Sequence, residues 1–163
     1  MADLSSDIRT LVITHVEQIR SGIIQNMSAM GRTTSGASVN SLLTVPDKTE
    51  IGATLMGAPQ WLVMQHGRSP GKVPSNFREI IKQWAMRKGI SIQPRKGQSQ
   101  ESAINSFSYL VARNIMQKGT KLFRDKGYND IFDSLVEQET DKMAKEAEGL
   151  LSVHIDKIND KQW

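Results

Sequence analysis

Apolar residues recur at helical spacing over the first thirty positions. Ile8, Leu11, Val12, Val16 (or His15), Ile19, Ile23 and Met27 line one face of a helix predicted over 6–30, because residues three and four apart stack on the same side at 3.6 residues per turn. Ser5 or Ser6 can cap its start and Gly31 can end it, while Gly22 weakens its middle, where a bend is expected. The pattern then changes. Gly31-Arg32-Thr33-Thr34-Ser35-Gly36 reads as a flexible connector. Within 37–56, Val39 to Val45 is β-branched and aliphatic, and Ile51, Ala53 and Leu55 alternate with Gly52, Thr54 and Met56. Pro46-Asp47-Lys48 supplies turn chemistry between them, which predicts a β-hairpin. A lone hairpin is marginal in water, so it must rest on a helix or find strands elsewhere, as in a neighbouring subunit.

Pro59 to His66 reads as a short helical stretch with Trp61 and Met64 or Gln65 on one side. Residues 67–74, Gly-Arg-Ser-Pro-Gly-Lys-Val-Pro, form a loop that cannot be regular structure. Two helices are predicted within 75–118. The first starts at Ser75 or Asn76, with Glu79 in capping-box position, and buries Phe77, Ile80, Ile81, Trp84 and Ala85; Gly89 stops it after Arg87 and Lys88. Ile90 to Gln100 is a loop holding Pro94 and the basic pair Arg95-Lys96. The second helix runs from about Gln100 to Lys118, with Ala103, Phe107, Leu110, Val111 and Ile115 inward and Gly119 as its stop. A last, acidic helix is predicted over 129–159, with Asn129 as cap, Asp130 in its first turn, and Phe132, Leu135, Val136, Met143, Ala147, Leu150, Leu151, Ile155 and Ile158 as its stripe. Leu151, Val153 and Ile155 also alternate with polar residues, so a strand at 149–159 stays open. The expected fold is α+β: an N-terminal helix packed on a small antiparallel β-hairpin or sheet, followed by three helices, in one domain over 1–163.

A length of 163 residues with 38% hydrophobic and 23% charged residues suits a globular chain that holds a core without staples. The absence of cysteine removes disulfides, thiolate catalysis and cysteine-based zinc sites. No apolar run approaches the roughly 20 residues that span a bilayer, and the mildly acidic start, Met1 to Asp7, lacks a signal-peptide pattern, so no membrane partner is expected. The net charge of +4 conceals segregation. Arg68, Lys72, Arg78, Lys82, Arg87, Lys88, Arg95 and Lys96 stand against Glu79 alone in 60–100, whereas residues 128–163 carry nine acids against Lys142, Lys145, Lys157 and Lys161. A basic middle can attract nucleic acid, and opposite charges at two places in a chain equally let identical subunits join head to tail.

Candidates for chemistry are sparse. His15, His66 and His154 sit in unrelated segments without metal-ligand spacing, and acid pairs such as Asp130 with Asp133 lie where helix capping accounts for them. Gly67 to Lys72 superficially suggests a phosphate loop, but three residues rather than four separate its glycines, Val73 follows the lysine, and Pro70 removes a backbone donor. No catalytic residue, cofactor or metal is therefore expected, and the chain is not expected to be an enzyme. The helices within 75–118 could approach nucleic acid, although an eleven-residue connector is long for a helix-turn-helix. A nucleic-acid-binding regulatory protein using the basic 68–118 region is thus the alternative function.

Gly67-Arg68-Ser69-Pro70-Gly71-Lys72-Val73-Pro74, followed by Ile80, Trp84 and Lys88-Gly89-Ile90, resembles a GR-x-PGK-x-P … I-x-x-W-x-x-x-KGI pattern of neck and tail-completion proteins of tailed bacteriophages, the head–tail joining family. The order of elements before it and the helix ending in Lys118-Gly119-Thr120 resemble the same family, over roughly residues 20–120. The resemblance implies a structural virion subunit, assembled in the host cytoplasm into a homo-oligomeric ring between the portal or connector and the tail. It leaves open contact with DNA passing through the lumen. The stiffened basic loop gives Arg68, Ser69, Pro70 and Lys72, with Arg95 and Lys96, as expected partner contacts: arginine can grip a carboxylate bidentately, and lysine acts as a point charge. The acidic face of the last helix on an adjacent subunit is one candidate partner.

Overall fold

A computed structural model describes residues 3–33, 36–48 and 51–160; Thr34 and Ser35 of the expected connector, Met1 and Ala2 of the acidic start, and Lys161 lie outside them. The chain is α+β, with a long N-terminal helix, a two-stranded antiparallel sheet and further helices. Where one domain is expected, contacts gather in two compact units, residues 1–58 with 130–163 and residues 59–129.

In the first unit, helix α1 (Leu4–Ala29) is capped by the Asp3 carboxylate, which accepts from Ser5 N–H, rather than by Ser5 or Ser6. It ends one residue before Met30, and Gly31 closes it with its N–H on Ser28 O. The helix continues unbroken through Gly22, where a bend is expected from sequence. A Cβ there would stand 2.5 Å from Leu135, so the glycine serves close approach of another helix.

A one-turn helix, α2 (Ala37–Asn40), occupies the start of the expected first strand. Strand β1 is correspondingly shorter, Leu43–Pro46, and pairs antiparallel with β2 (Ala53–Met56), Leu43 opposite Met56 and Pro46 opposite Ala53. Pro46 thus closes the strand instead of opening the turn. Both strands pack on α1, as the lone hairpin requires. The guanidinium of Arg20 donates to Leu42 O at 3.0 Å, and that of Arg9 donates to Asp47 O. These carbonyls flank β1, and eleven helical residues rise about 16 Å, close to the span of the strand with its flanks. Two arginines three turns apart therefore pin the strand along the helix, running opposite to it.

Helix α7 (Asp133–Asn159) lies antiparallel to α1: Asn26 donates to Ile131 O at 2.9 Å, Gly22 faces Leu135, and His15 meets Glu139 and Glu146. It is helical throughout 149–159, which removes the strand alternative. It starts later than expected because Asn129 belongs to the other unit, donating its side chain to Met64 O at 2.9 Å; Asp130 accepts from Ser134 N–H and hydroxyl instead. Ile23, Met27, Leu42 and Ile131 form the apolar core, and His15 and Glu139 are buried with it.

In the second unit, α3 (Gln60–His66) buries Trp61 and Gln65, the side expected from sequence. Helices α4 (Phe77–Arg87) and α5 (Gln100–Lys118) pack on each other, and a short α6 (Lys121–Arg124) follows. The side chain of Ser99 caps α5 by accepting from Ser102 N–H at 3.2 Å, whereas Asn76 makes no side-chain cap on α4 and Glu79 accepts from Gln83 instead. Ile81 and Ala85 on α4 and Ala103 on α5 are buried as predicted, and Ser108 and Ala112 of α5 join them. Ile80, Trp84 and Leu110, expected inside, are 45%, 42% and 59% exposed. Alanines at the seam let the helix backbones approach, and the large side chains flanking them are displaced toward solvent.

Candidate partner-binding surface

The loop 67–74 begins where α3 ends. Gly67 has φ 78° and ψ 177°, and Gly119, which ends α5, has φ 76° and ψ 179°. That region of backbone space is essentially reserved for glycine. Space demands glycine as well, since a Cβ on Gly67 would stand 2.6 Å from Phe123 N and one on Gly119 2.5 Å from Arg68 O. With both glycines in place, Arg68 and Thr120 pair reciprocally: Arg68 N–H donates to Thr120 Oγ1 and Thr120 N–H to Arg68 O, each at 2.9 Å. Gly71 N–H donates to Met116 O at 2.9 Å and fixes the middle of the loop to the last turn of α5.

Arg68 turns back on this loop. Its guanidinium donates to Lys72 O at 2.7 Å and lies 5.9 Å from the centre of the Phe77 ring, half-buried. Ser69, Pro70 and Lys72 are exposed. Of the two loop cations expected to face a partner, only Lys72 therefore stands in solvent, and Arg68 shapes the backbone that carries it. Arg95 and Lys96 are exposed in a turn closed by Gln98, whose N–H donates to Arg95 O at 2.9 Å and whose side-chain oxygen accepts from Arg95 N–H at 3.2 Å. That turn adjoins the start of α5, while loop 67–74 is tied to its end. Nineteen helical residues rise about 28 Å. The six expected contact residues thus fall into two groups at opposite ends of one helix.

Between them lies a groove that sequence reading missed. It has a volume of about 330 Å³ and a mainly apolar lining that includes Val73, Phe77, Tyr109 and Met116. Arg78 and Arg113 stand at it, with the Arg78 guanidinium 5.2 Å from the centre of the Tyr109 ring. Neither arginine has a carboxylate partner among the described residues. The signal was present as Tyr109, Arg113 and Met116 at i, i+4 and i+7, a stripe hidden by assigning the inward face of α5 to Phe107, Leu110 and Val111.

The first unit holds the strongest electrostatic cluster. His15, 2% exposed, has Nδ1 3.1 Å from Glu139 Oε2 and Nε2 3.3 Å from Glu146 Oε2. Carboxylates only accept, so the contact to Glu139 is a hydrogen bond donated by Nδ1 when that nitrogen carries the proton, and the contact to Glu146 is an ion pair when the ring carries both. Glu139 also accepts from the Lys142 ammonium, and this bond, followed by that from His15, holds its carboxyl below the usual carboxylate range. Asp130 is likewise lowered, by the side-chain and backbone bonds from Ser134. The two carboxylates occupy opposite ring nitrogens, an arrangement that braces two helices. The His66 ring is tilted 43° against that of Tyr128 with ring centres 5.5 Å apart, and no group of three or more histidine, aspartate or glutamate side chains among the described residues is arranged to hold a metal. No helix among them is long and apolar enough to cross a membrane. No protein family, curated protein or solved structure matches the chain.

Proposed function

We propose that the chain is a structural virion subunit of a phage neck or tail-completion ring, joining the portal or connector to the tail through protein–protein contacts. The observation that carries this reading is the loop 67–74. The residues that resemble the joining family are those held by glycine-only backbone and by the bonds to Thr120 and Met116, with Lys72 left exposed. A stiff loop loses little entropy on docking, which favours a contact element over a solvated linker. The reading includes no catalysis, and the ring is assembled in the host cytoplasm before entering the virion.

The test replaces cations that face solvent and leaves Arg68 in place. The triple variant Lys72→Glu, Arg95→Glu, Lys96→Glu should melt within about 0.5 kcal/mol of wild type, as surface changes do. Supplied in place of the wild-type protein during infection, it should yield heads and tails that do not join. Normal joining with this variant would rule out these cations as the contact. A nucleic-acid-binding role is the second reading, favoured by the exposed Tyr109 ring beside Arg78, which has no carboxylate partner among the described residues, since bases stack on exposed aromatic rings. A variant that joins heads to tails normally and loses only DNA affinity would establish that reading instead.

A further inference from the structure

The two-stranded sheet has one blocked edge and one open edge. Leu43 stands opposite Met56 and Pro46 opposite Ala53, and Asp47 N–H donates to Gly52 O at 3.0 Å one step beyond. Bonds in an antiparallel ladder alternate between successive opposed pairs. Val45 with Thr54 and Leu43 with Met56 therefore exchange them, while Thr44, Pro46, Ala53 and Leu55 turn their backbone groups outward. On β1 that outer edge is blocked at both ends: Arg20 occupies Leu42 O, and Pro46 has no N–H. On β2 both Ala53 and Leu55 offer N–H and C=O, and no hydrogen bond among the described residues reaches these groups. Residues 51–57, Ile-Gly-Ala-Thr-Leu-Met-Gly, carry neither charge nor proline, the devices that keep a free edge from pairing.

We propose that β2 pairs antiparallel with β2 of a second copy, joining the two hairpins into one sheet across a two-fold axis at Thr54. The register follows from the groups that need partners. With Ala53 opposite Leu55 of the other copy, every outward N–H and C=O of the strand is satisfied in both copies. No other antiparallel self-pairing of β2 achieves this within Ala53–Met56. Thr54, exposed on the outer face, then stands opposite its own copy, a favourable cross-strand pair. On the half-buried inner face the small Ala53 lies beside the larger Leu55. Main-chain bonds supply the affinity, as in strand addition generally. The contact closes on itself, and the blocked edge of β1 stops the sheet from growing further. It does not depend on the ring reading.

Because the chain lacks cysteine, a single one at the axis tests the pairing directly. Opposed residues that exchange no bonds lie about 4.5 Å apart at Cα, within reach of a disulfide. Thr54→Cys should therefore give a disulfide-linked dimer of the full chain on mild oxidation. Val45→Cys, exposed on the same face but one strand further from the axis, should not. Sedimentation velocity reads the affinity. Ala53→Pro removes an outward N–H, which edge strands tolerate, and should raise the dissociation constant between copies about thirtyfold or more, with circular dichroism unchanged. Thr54→Lys sets like charges opposite each other and should act in the same direction, whether or not the proline variant folds. A missing Thr54 cross-link, an equal yield from Val45→Cys, or wild-type-like association by both variants overturns the pairing. A wild type that is monomeric alone and binds a portal complex, with binding lost in Ala53→Pro, also overturns it and gives the edge to that partner. Cross-linking at Thr54 by a chain that neither forms rings nor caps a portal supports the pairing and removes the ring reading; rings without the cross-link do the reverse.

Discussion

At the seam of α1 and α7 sit a glycine under Leu135 and a buried histidine held by two glutamates; at the seam of α4 and α5 sit alanines and a serine. Both arrangements bring helix backbones close, and they differ in what they do with everything else. The polar knot commits His15, Glu139, Glu146 and Lys142 to one another, so charge is consumed inside the pair. The alanine seam consumes none: Trp84 and Leu110 are turned outward, and Tyr109 and Met116 are exposed at the groove beside Arg78 and Arg113. One pair is built to hold its own helices, and the other leaves binding groups free.

Removing the knot should have the largest effect. His15→Ala leaves Glu139 buried with Lys142 alone and should cost about 3 kcal/mol in denaturant unfolding; a loss below about 1 kcal/mol would mean that the knot does not brace the helices. Acid sharpens the same point. The lowered carboxyl of Glu139 binds fewer protons in the folded than in the unfolded chain, so its contribution is present above the usual carboxylate range and lost as pH falls through its folded value. Between about pH 6 and about pH 3 the wild type should therefore lose more stability than Glu139→Gln. Equal losses would show that Glu139 is not the group responsible.

The alanine seam breaks by overfilling. Ala85, 1% exposed, has no room for four-carbon branches, and Ala85→Leu should cost about 2 kcal/mol. Trp84→Ala should cost only about 1 kcal/mol, well under the 3–5 kcal/mol of a fully buried aromatic. Reversal of that order, measured by the same unfolding curves, would return Trp84 to the core.

The sequence carried the long elements well because each has a strong period: α1 ends within a residue or two of expectation, α5 runs over 100–118 as predicted, and the hairpin rests on a helix. It carried faces poorly where small residues decide the packing. Hydrophobicity ranks Trp84 and Leu110 above Ala85 and Ala112, while helix approach ranks them in reverse. His15 could be placed on the inner stripe but not paired, since Glu139 is 124 residues away and its partnership exists only once α7 folds back. Of the contact residues, the loop was legible from its glycines and prolines. The inward turn of Arg68 onto Phe77 was not, because it depends on bonds that fix the loop to Thr120 and Met116.

The joining role is tested by imaging the purified protein mixed with a portal complex. Negative-stain fields should contain rings, or connectors capped by an added layer of density. Isolated monomers beside bare portals, from protein that nevertheless shifts a DNA band, would contradict it.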